Sequence, residues 1–75
     1  MNKETIECLL ENYMEKGYDR ITVYLIDGTY HTFELYNTQH RYNIYNDVLR
    51  ITKNIPVKQE ITIVLDKIEK IITKE

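Results

Sequence analysis

The side chains of this sequence that are best suited to bind a ligand are aromatic and cationic. Seven of its 75 residues are tyrosines, and there is no tryptophan. A tyrosine ring offers a flat face on which a base can stack, and an arginine offers a planar fork that matches a phosphate group. These residue types predict a small anionic, nucleotide-like ligand. The candidate ligand-binding residues are Tyr24, Tyr30, Tyr36, His40, Arg41, Tyr42, Arg50 and Lys53.

Groups that could catalyse a reaction are scarce. The chain has no serine, and its two glycines stand far apart, so neither belongs to a phosphate-binding loop. Cys8 is the only thiol; it lies beside the apolar stripe of a predicted helix, and we expect it to be buried. His31 and His40 have no cysteine near them, so no metal-ligand spacing is present. We therefore expect neither an enzyme nor a metal or cofactor.

The length and charge of the chain narrow the class of protein. Residues 1–75 are short enough for one domain, and a core of that size rarely supplies more than about 3–5 kcal/mol. A single cysteine provides no internal disulfide, so we expect a homo-oligomer in a reducing cytoplasm. The net charge of −2 lacks the basic excess of nucleic-acid-binding proteins. No apolar run approaches the about 18 residues of a membrane span, so no membrane association is expected.

Residues 3–16 have the period of an amphipathic helix. Asn2 is placed to cap its first turn, and Gly17 stands where a left-handed residue ends many helices. The opposite side carries glutamates four residues apart, which predicts either a solvated side or an acidic surface for a basic partner. The apolar stripe consists of Ile6, Leu9, Leu10, Tyr13 and Met14.

Residues 20–26 and 29–36 predict a β-hairpin that turns at Asp27-Gly28. A two-residue loop would mix apolar and polar side chains on each side. A three-residue loop with a bulge at Gly28 instead gives one consistent apolar side, because a slip of one residue moves every side chain to the other side. The bulged loop predicts an inward side of Ile21, Val23, Leu25, His31, Phe33 and Leu35. It predicts an outward side of Thr22, Tyr24, Ile26, Tyr30, Thr32, Glu34 and Tyr36.

The second half of the chain predicts further strands. The polar residues 37–43 are expected to form a loop, followed by a shorter hairpin that turns at Asn46-Asp47. A strand is expected over residues 60–65, with Ile61, Ile63 and Leu65 inward. Residues 66–68 predict one helical turn and 69–73 a short final strand, although a short helix is an alternative for this segment. The fold class is therefore α+β: helix 3–16, then a β region over 19–74.

Two stretches carry a resemblance to a known fold. "ITVYLIDGTYHTFEL" and "ITIVLDKIEKII" are similar to the first two and last two strands of a small SH3-like or Sm-like barrel. The resemblance implies a strongly bent antiparallel sheet or barrel of about five strands. The composition, rich in Ile, Lys, Asn and Tyr, is also similar to that of small phage proteins. Among these, sponge proteins that trap nucleotide immune signals are compact oligomers with pockets between subunits.

These observations lead to one preferred function and two alternatives. The preferred hypothesis is a non-enzymatic, phage-type homo-oligomer that sequesters a small anionic ligand, such as a cyclic nucleotide signal of host antiviral defence, in the host cytoplasm. The outward tyrosines would then form a subunit interface, line a pocket, or do both. The alternatives are a protein–protein interaction module with an SH3-like barrel and an Sm-like RNA-binding protein.

Overall fold

The N-terminal helix begins and ends where the capping residues predict. In the computed structural model, which describes residues 1–54 and 56–74, α1 spans Lys3–Glu15. The Asn2 side chain accepts a hydrogen bond of 2.8 Å from the Thr5 backbone N–H. At the other end Gly17 has φ +80°, and the Tyr18 N–H donates to the Tyr13 carbonyl at 3.0 Å. This Schellman arrangement also packs the rings of Tyr13 and Tyr18 at 6.0 Å.

The helix buries a narrower stripe than the sequence predicts. Ile6 and Leu10 are buried, whereas Leu9 and Tyr13 are partly buried and Met14 is exposed. The expectation that Cys8 is buried is wrong, because its thiol is exposed. Cys8 is two residues from Ile6 and two from Leu10, so it lies roughly 200° around the helix from each of these buried residues. It therefore shares the solvent side with the glutamates.

The first hairpin has the bulged loop. Strands β1 (Arg20–Leu25) and β2 (Tyr30–Glu34) pair antiparallel, with Ile21 opposite Phe33. The Leu25 N–H donates to the Thr29 carbonyl at 2.8 Å, which leaves three residues in the loop, and Gly28 takes φ +91°. The predicted phase is confirmed: the inward side is apolar, with half-buried His31 opposite Val23.

A second hairpin follows, and it starts earlier than expected. Strands β3 (His40–Tyr45) and β4 (Val48–Lys53) turn at Asn46-Asp47, where Asn46 has φ +55°. The prediction of a loop through residue 43 is wrong, because β3 already begins at His40. Although its residues are polar, β3 alternates half-buried and exposed positions, with Tyr42 and Ile44 inward. The alternation of half-buried and exposed side chains therefore identifies this segment as a strand, although its polar composition is typical of a loop.

The chain ends in two more strands with a helical turn between them. Strand β5 (Gln59–Val64) pairs with β4, and a 3-10 turn (Leu65–Lys67) leads into β6 (Ile68–Lys74). The predicted strand, turn and strand are confirmed. The Ile26 N–H donates to the Lys67 carbonyl at 2.9 Å, which holds the turn against the first hairpin.

Six antiparallel strands form two three-stranded sheets across residues 1–54 and 56–74. The first sheet has the order β2-β1-β6 and the second the order β3-β4-β5, and they are not closed into a barrel. The α+β class is confirmed, with six strands where the barrel resemblance implies about five. The core lies between the inward sides of both sheets and under the helix, where each fully buried side chain contributes about 1.5–3 kcal/mol. It consists of Ile6, Leu10, Ile21, Val23, Phe33, Leu49, Ile51, Ile63, Leu65, Ile68 and Ile71.

Candidate ligand-binding groove

A groove joins the outward side of the first sheet to the near edge of the second. Its volume is about 710 Å³. Strands β1 and β2 contribute three residues each, β6 contributes two, and β3 and β4 contribute one each. It is thus assembled from parts of the chain that are distant in sequence. The lining residues are Arg20, Thr22, Tyr24, Thr32, Phe33, Glu34, His40, Lys53, Ile72 and Thr73.

The floor of the groove is a sheet surface of hydroxyl and aromatic groups. Thr22 and Thr32 lie opposite each other, and their hydroxyls are hydrogen-bonded at 3.1 Å. One step along the strands, the rings of Tyr24 and Tyr30 lie 5.5 Å apart with an interplanar angle of 37°. The Lys70 ammonium lies 5.1 Å from the centre of the Tyr24 ring, a cation–π contact. Tyr24 is therefore held between two neighbours.

The groove carries charges of both signs. Arg20 and Glu34 are directly opposite each other on β1 and β2, and Lys53 approaches from the end of β4. Among the residues that the structure describes, the only ion pair is the one between Lys3 and Glu7, at 3.9 Å. Arg20 and Glu34 therefore make no direct ion pair, although their charges still attract each other across the two strands.

The turn between β2 and β3 is tied by its own hydrogen bonds. The Glu34 N–H donates to Nδ1 of His40 at 3.0 Å, so this imidazole nitrogen carries no proton. The Asn37 side-chain amide donates to Oε2 of Glu34 at 3.1 Å, and its Oδ1 accepts from the Gln39 N–H at 2.8 Å. The Asn37 carbonyl also accepts from the His40 N–H at 2.9 Å. This network fixes Glu34 and His40 relative to each other at the groove.

The structure brings half of the candidate residues together. Tyr24, His40 and Lys53 line the groove, and Tyr30 adjoins it through Tyr24. The prediction that Tyr36 lies on the same side is wrong. β2 ends at Glu34, so the alternation of sides ends there, and the Tyr36 hydroxyl donates to the Met14 carbonyl at the end of the helix.

Tyr42 is directed into the core and not toward the groove. Its ring lies 5.6 Å from that of Phe33, and its hydroxyl lies 3.8 Å from the Met14 sulfur. Burial raises the pKa of the Tyr42 phenol, and the carboxylates of Glu11 and Glu7 on the helix raise this pKa further. Tyr42 thus acts as a packing residue between sheet and helix.

Arg41 and Arg50 lie on the outward side of the second sheet, apart from the groove. Arg41 alternates with inward Tyr42 on β3, and Arg50 lies between inward Leu49 and Ile51 on β4. These arginines lie on a different sheet from the outward tyrosines of the first hairpin, so within one chain the structure does not bring the two sets together. The next row of this surface is apolar and runs across all three strands. It consists of Tyr45, Val48 and Val64.

Sequence reasoning did not identify Arg20 as a groove residue. A signal was present, because the bulged hairpin that places Ile21 opposite Phe33 also places Arg20 opposite Glu34. The approach of Lys53 and Ile72 had no such local signal, since it depends on how the two sheets pack.

Other candidate features are weaker. A second cavity of about 320 Å³ lies at the hairpin tip between Ile26 and Lys67, lined by few polar atoms. No group of three potential metal ligands occurs in the described parts of the chain. None of the helices in those parts has the length and apolar character needed to cross a membrane.

No family model, curated protein or solved structure matches this chain.

Proposed function

We propose that this chain is a non-enzymatic binding protein that sequesters a small anionic ligand of the nucleotide class in the groove. The observation that carries the proposal is the combination of a held aromatic ring, Tyr24, with two cations, Arg20 and Lys53, around one concave surface. A nucleotide has the matching parts, a flat base and a phosphate. The groove volume of about 710 Å³ falls within the range of about 300–1,000 Å³ typical of small-molecule sites.

Each part of the groove has a role in this proposal. The base stacks on Tyr24 in place of the Lys70 ammonium. Stacking is worth about 1–3 kcal/mol in proteins that bind single strands, less the cation–π contact that it replaces. The Arg20 guanidinium pairs with the phosphate in a bidentate manner, and Lys53 adds a point charge from the other sheet. His40 donates from Nε2, because its Nδ1 already accepts from the Glu34 N–H.

The biological setting is the finer part of the proposal. We infer a phage-type, cytoplasmic protein that traps a cyclic nucleotide immune signal and so blocks host antiviral defence, an inference that rests on composition. Homo-oligomerisation is supported by the small core and by the sheet order, which leaves β2, β3, β5 and β6 as edge strands. Unpaired edge strands are sites where a second chain can add.

Calorimetric titration with a panel of cyclic mono-, di- and oligonucleotides tests the ligand class. Tyr24→Ala should weaken binding by about 5- to 150-fold, the equivalent of one lost stacked base. Tyr45→Ala is the control, because Tyr45 is also a strand tyrosine on an outward side but lies on the other sheet. Likewise Arg20→Ala should weaken binding, whereas Arg50→Ala should not. Absence of heat with every nucleotide at high micromolar protein would exclude the proposal.

A second candidate function, a protein–protein interaction module, is favoured by the apolar row of Tyr45, Val48 and Val64. Tyr45 is 64% exposed and Val64 43% exposed, so the row has no covering element. A partner bound there would be lost with Tyr45→Ala and retained with Tyr24→Ala, the reverse of the result for the groove. Sm-like RNA binding would instead show an affinity for oligo-U or oligo-A that falls steeply with salt.

A further inference from the structure

The groove is not uniformly basic, and the one carboxylate among its described lining residues limits what can bind. Glu34 lines the same surface as Arg20 and Lys53. A phosphate placed against Glu34 would be repelled, so this part of the groove must receive a group that donates hydrogen bonds. A phosphate therefore belongs with the cations, and a different part of the ligand belongs with Glu34.

Glu34 is fixed more firmly than an ordinary surface glutamate. It is half-buried, its backbone N–H is bonded to His40, and its Oε2 accepts from the Asn37 amide at 3.1 Å. An ionised carboxylate offers about four acceptor sites, so this single bond leaves capacity on both oxygens. No ion pair with Arg20 consumes that capacity in the described residues, although the two are cross-strand neighbours.

The bases differ in what they offer to a carboxylate. Guanine presents two adjacent donors, N1–H and the N2 amine, which match the two carboxylate oxygens. Adenine and cytosine present one amine beside a ring acceptor, and uracil presents one N–H between two carbonyl oxygens. In each of these three, an acceptor would face the carboxylate and repel it.

We propose that Glu34 is a specificity-determining residue that binds the N1–H and N2–H edge of a guanine base, so that the ligand is a guanine nucleotide. The inference rests on the proposed function, since it identifies which base the groove selects. Tyr24 lies four residues along β1 from Arg20, the residue opposite Glu34, so it stacks a second base of a cyclic dinucleotide, and Arg20 and Lys53 bind any phosphate. Glu34 supplies the discrimination.

The test is a calorimetric comparison of ligands of equal charge on the wild-type protein. Cyclic di-GMP should bind at least about tenfold more tightly than cyclic di-AMP, as expected for one good bidentate contact. Inosine monophosphate, which keeps N1–H but lacks the N2 amine, should bind more weakly than guanosine monophosphate. Equal affinities for these pairs would overturn the role of Glu34 while leaving the proposed function intact.

The variant Glu34→Gln should reverse the base preference of the groove. A glutamine amide pairs one acceptor and one donor with the amine and N1 of adenine, so the preference should move from guanine to adenine. Glu60→Gln is the control, because Glu60 is an exposed glutamate on the outward side of β5. A guanine preference that survives Glu34→Gln overturns the assignment of Glu34. If no nucleotide binds the wild type at all, the proposed function fails and this inference fails with it.

Discussion

Replacement of Gly28 by alanine tests the loop geometry that determines which side chains face the groove. Gly28 has φ +91°, and a Cβ built there would have no heavy atom within 4 Å. The entire cost of Gly28→Ala is therefore backbone strain, about 1–2 kcal/mol for a non-glycine residue in the left-handed region. A single core in a 75-residue chain rarely supplies more than about 3–5 kcal/mol, so the loss is a substantial fraction of the free energy of unfolding.

Urea denaturation followed by far-UV circular dichroism measures this cost directly. We expect Gly28→Ala to lower the midpoint without changing the slope, and to lower Tm by about 4–16 °C. Gly17→Ala is the matched control, since Gly17 has φ +80° and equally open surroundings but lies at the helix end. Both variants should lose similar stability. If φ at Gly28 were negative, alanine would instead stabilise by about 0.4–1 kcal/mol, so an unchanged or raised midpoint refutes the bulged loop.

Three further predictions concern pH and the core. The hydrogen bonds from the Thr29 hydroxyl and N–H lower the pKa of Asp27. The ionised Asp27 carboxylate therefore stabilises the fold above about pH 4, and this stabilisation is lost on acidification. In Asp27→Asn the free energy of unfolding should fall less steeply as the pH is lowered. Because the pKa of Tyr42 is raised in the folded protein, its phenol ionises at a lower pH in the unfolded chain. The free energy of unfolding should therefore fall as pH rises above about 10, and less steeply in Tyr42→Phe. Ile51→Ala should lower the free energy of unfolding by about 2–5 kcal/mol, because Ile51 is 0% exposed. Ile72 is 44% exposed, so Ile72→Ala should change this free energy by no more than about 0.5 kcal/mol. Equal losses in urea titrations would contradict the assigned core.

Local signals in the sequence predicted the parts of the fold that depend on one or two residues. Asn2 and Gly17 bound the helix, and Asp27-Gly28 set the phase of the first hairpin, because each requires a particular backbone conformation or hydrogen bond in its own vicinity. The turn and final strand were predicted from the β-branched residues of the last segment, which favour a strand over a helix.

Other features depend on contacts between distant elements, and sequence reasoning was wrong about several of them. Polar composition suggested a loop at residues 40–43, yet Tyr42 packs against Phe33 and holds that stretch in β3. Tyr36 follows the end of β2, where the strand alternation no longer applies. The groove itself could be predicted only in part, because Lys53 reaches it through the packing of one sheet beside the other.

The exposure of Cys8 on the helix has a practical consequence for measuring the assembly state. It is the only cysteine and contributes nothing to the groove lining, so a maleimide dye would label each subunit once without occupying the binding surface. The same thiol can oxidise in air to join two chains, and such covalent dimers would be mistaken for a native assembly. Light-scattering masses therefore need a reductant, or Cys8→Ala, before they report on non-covalent association.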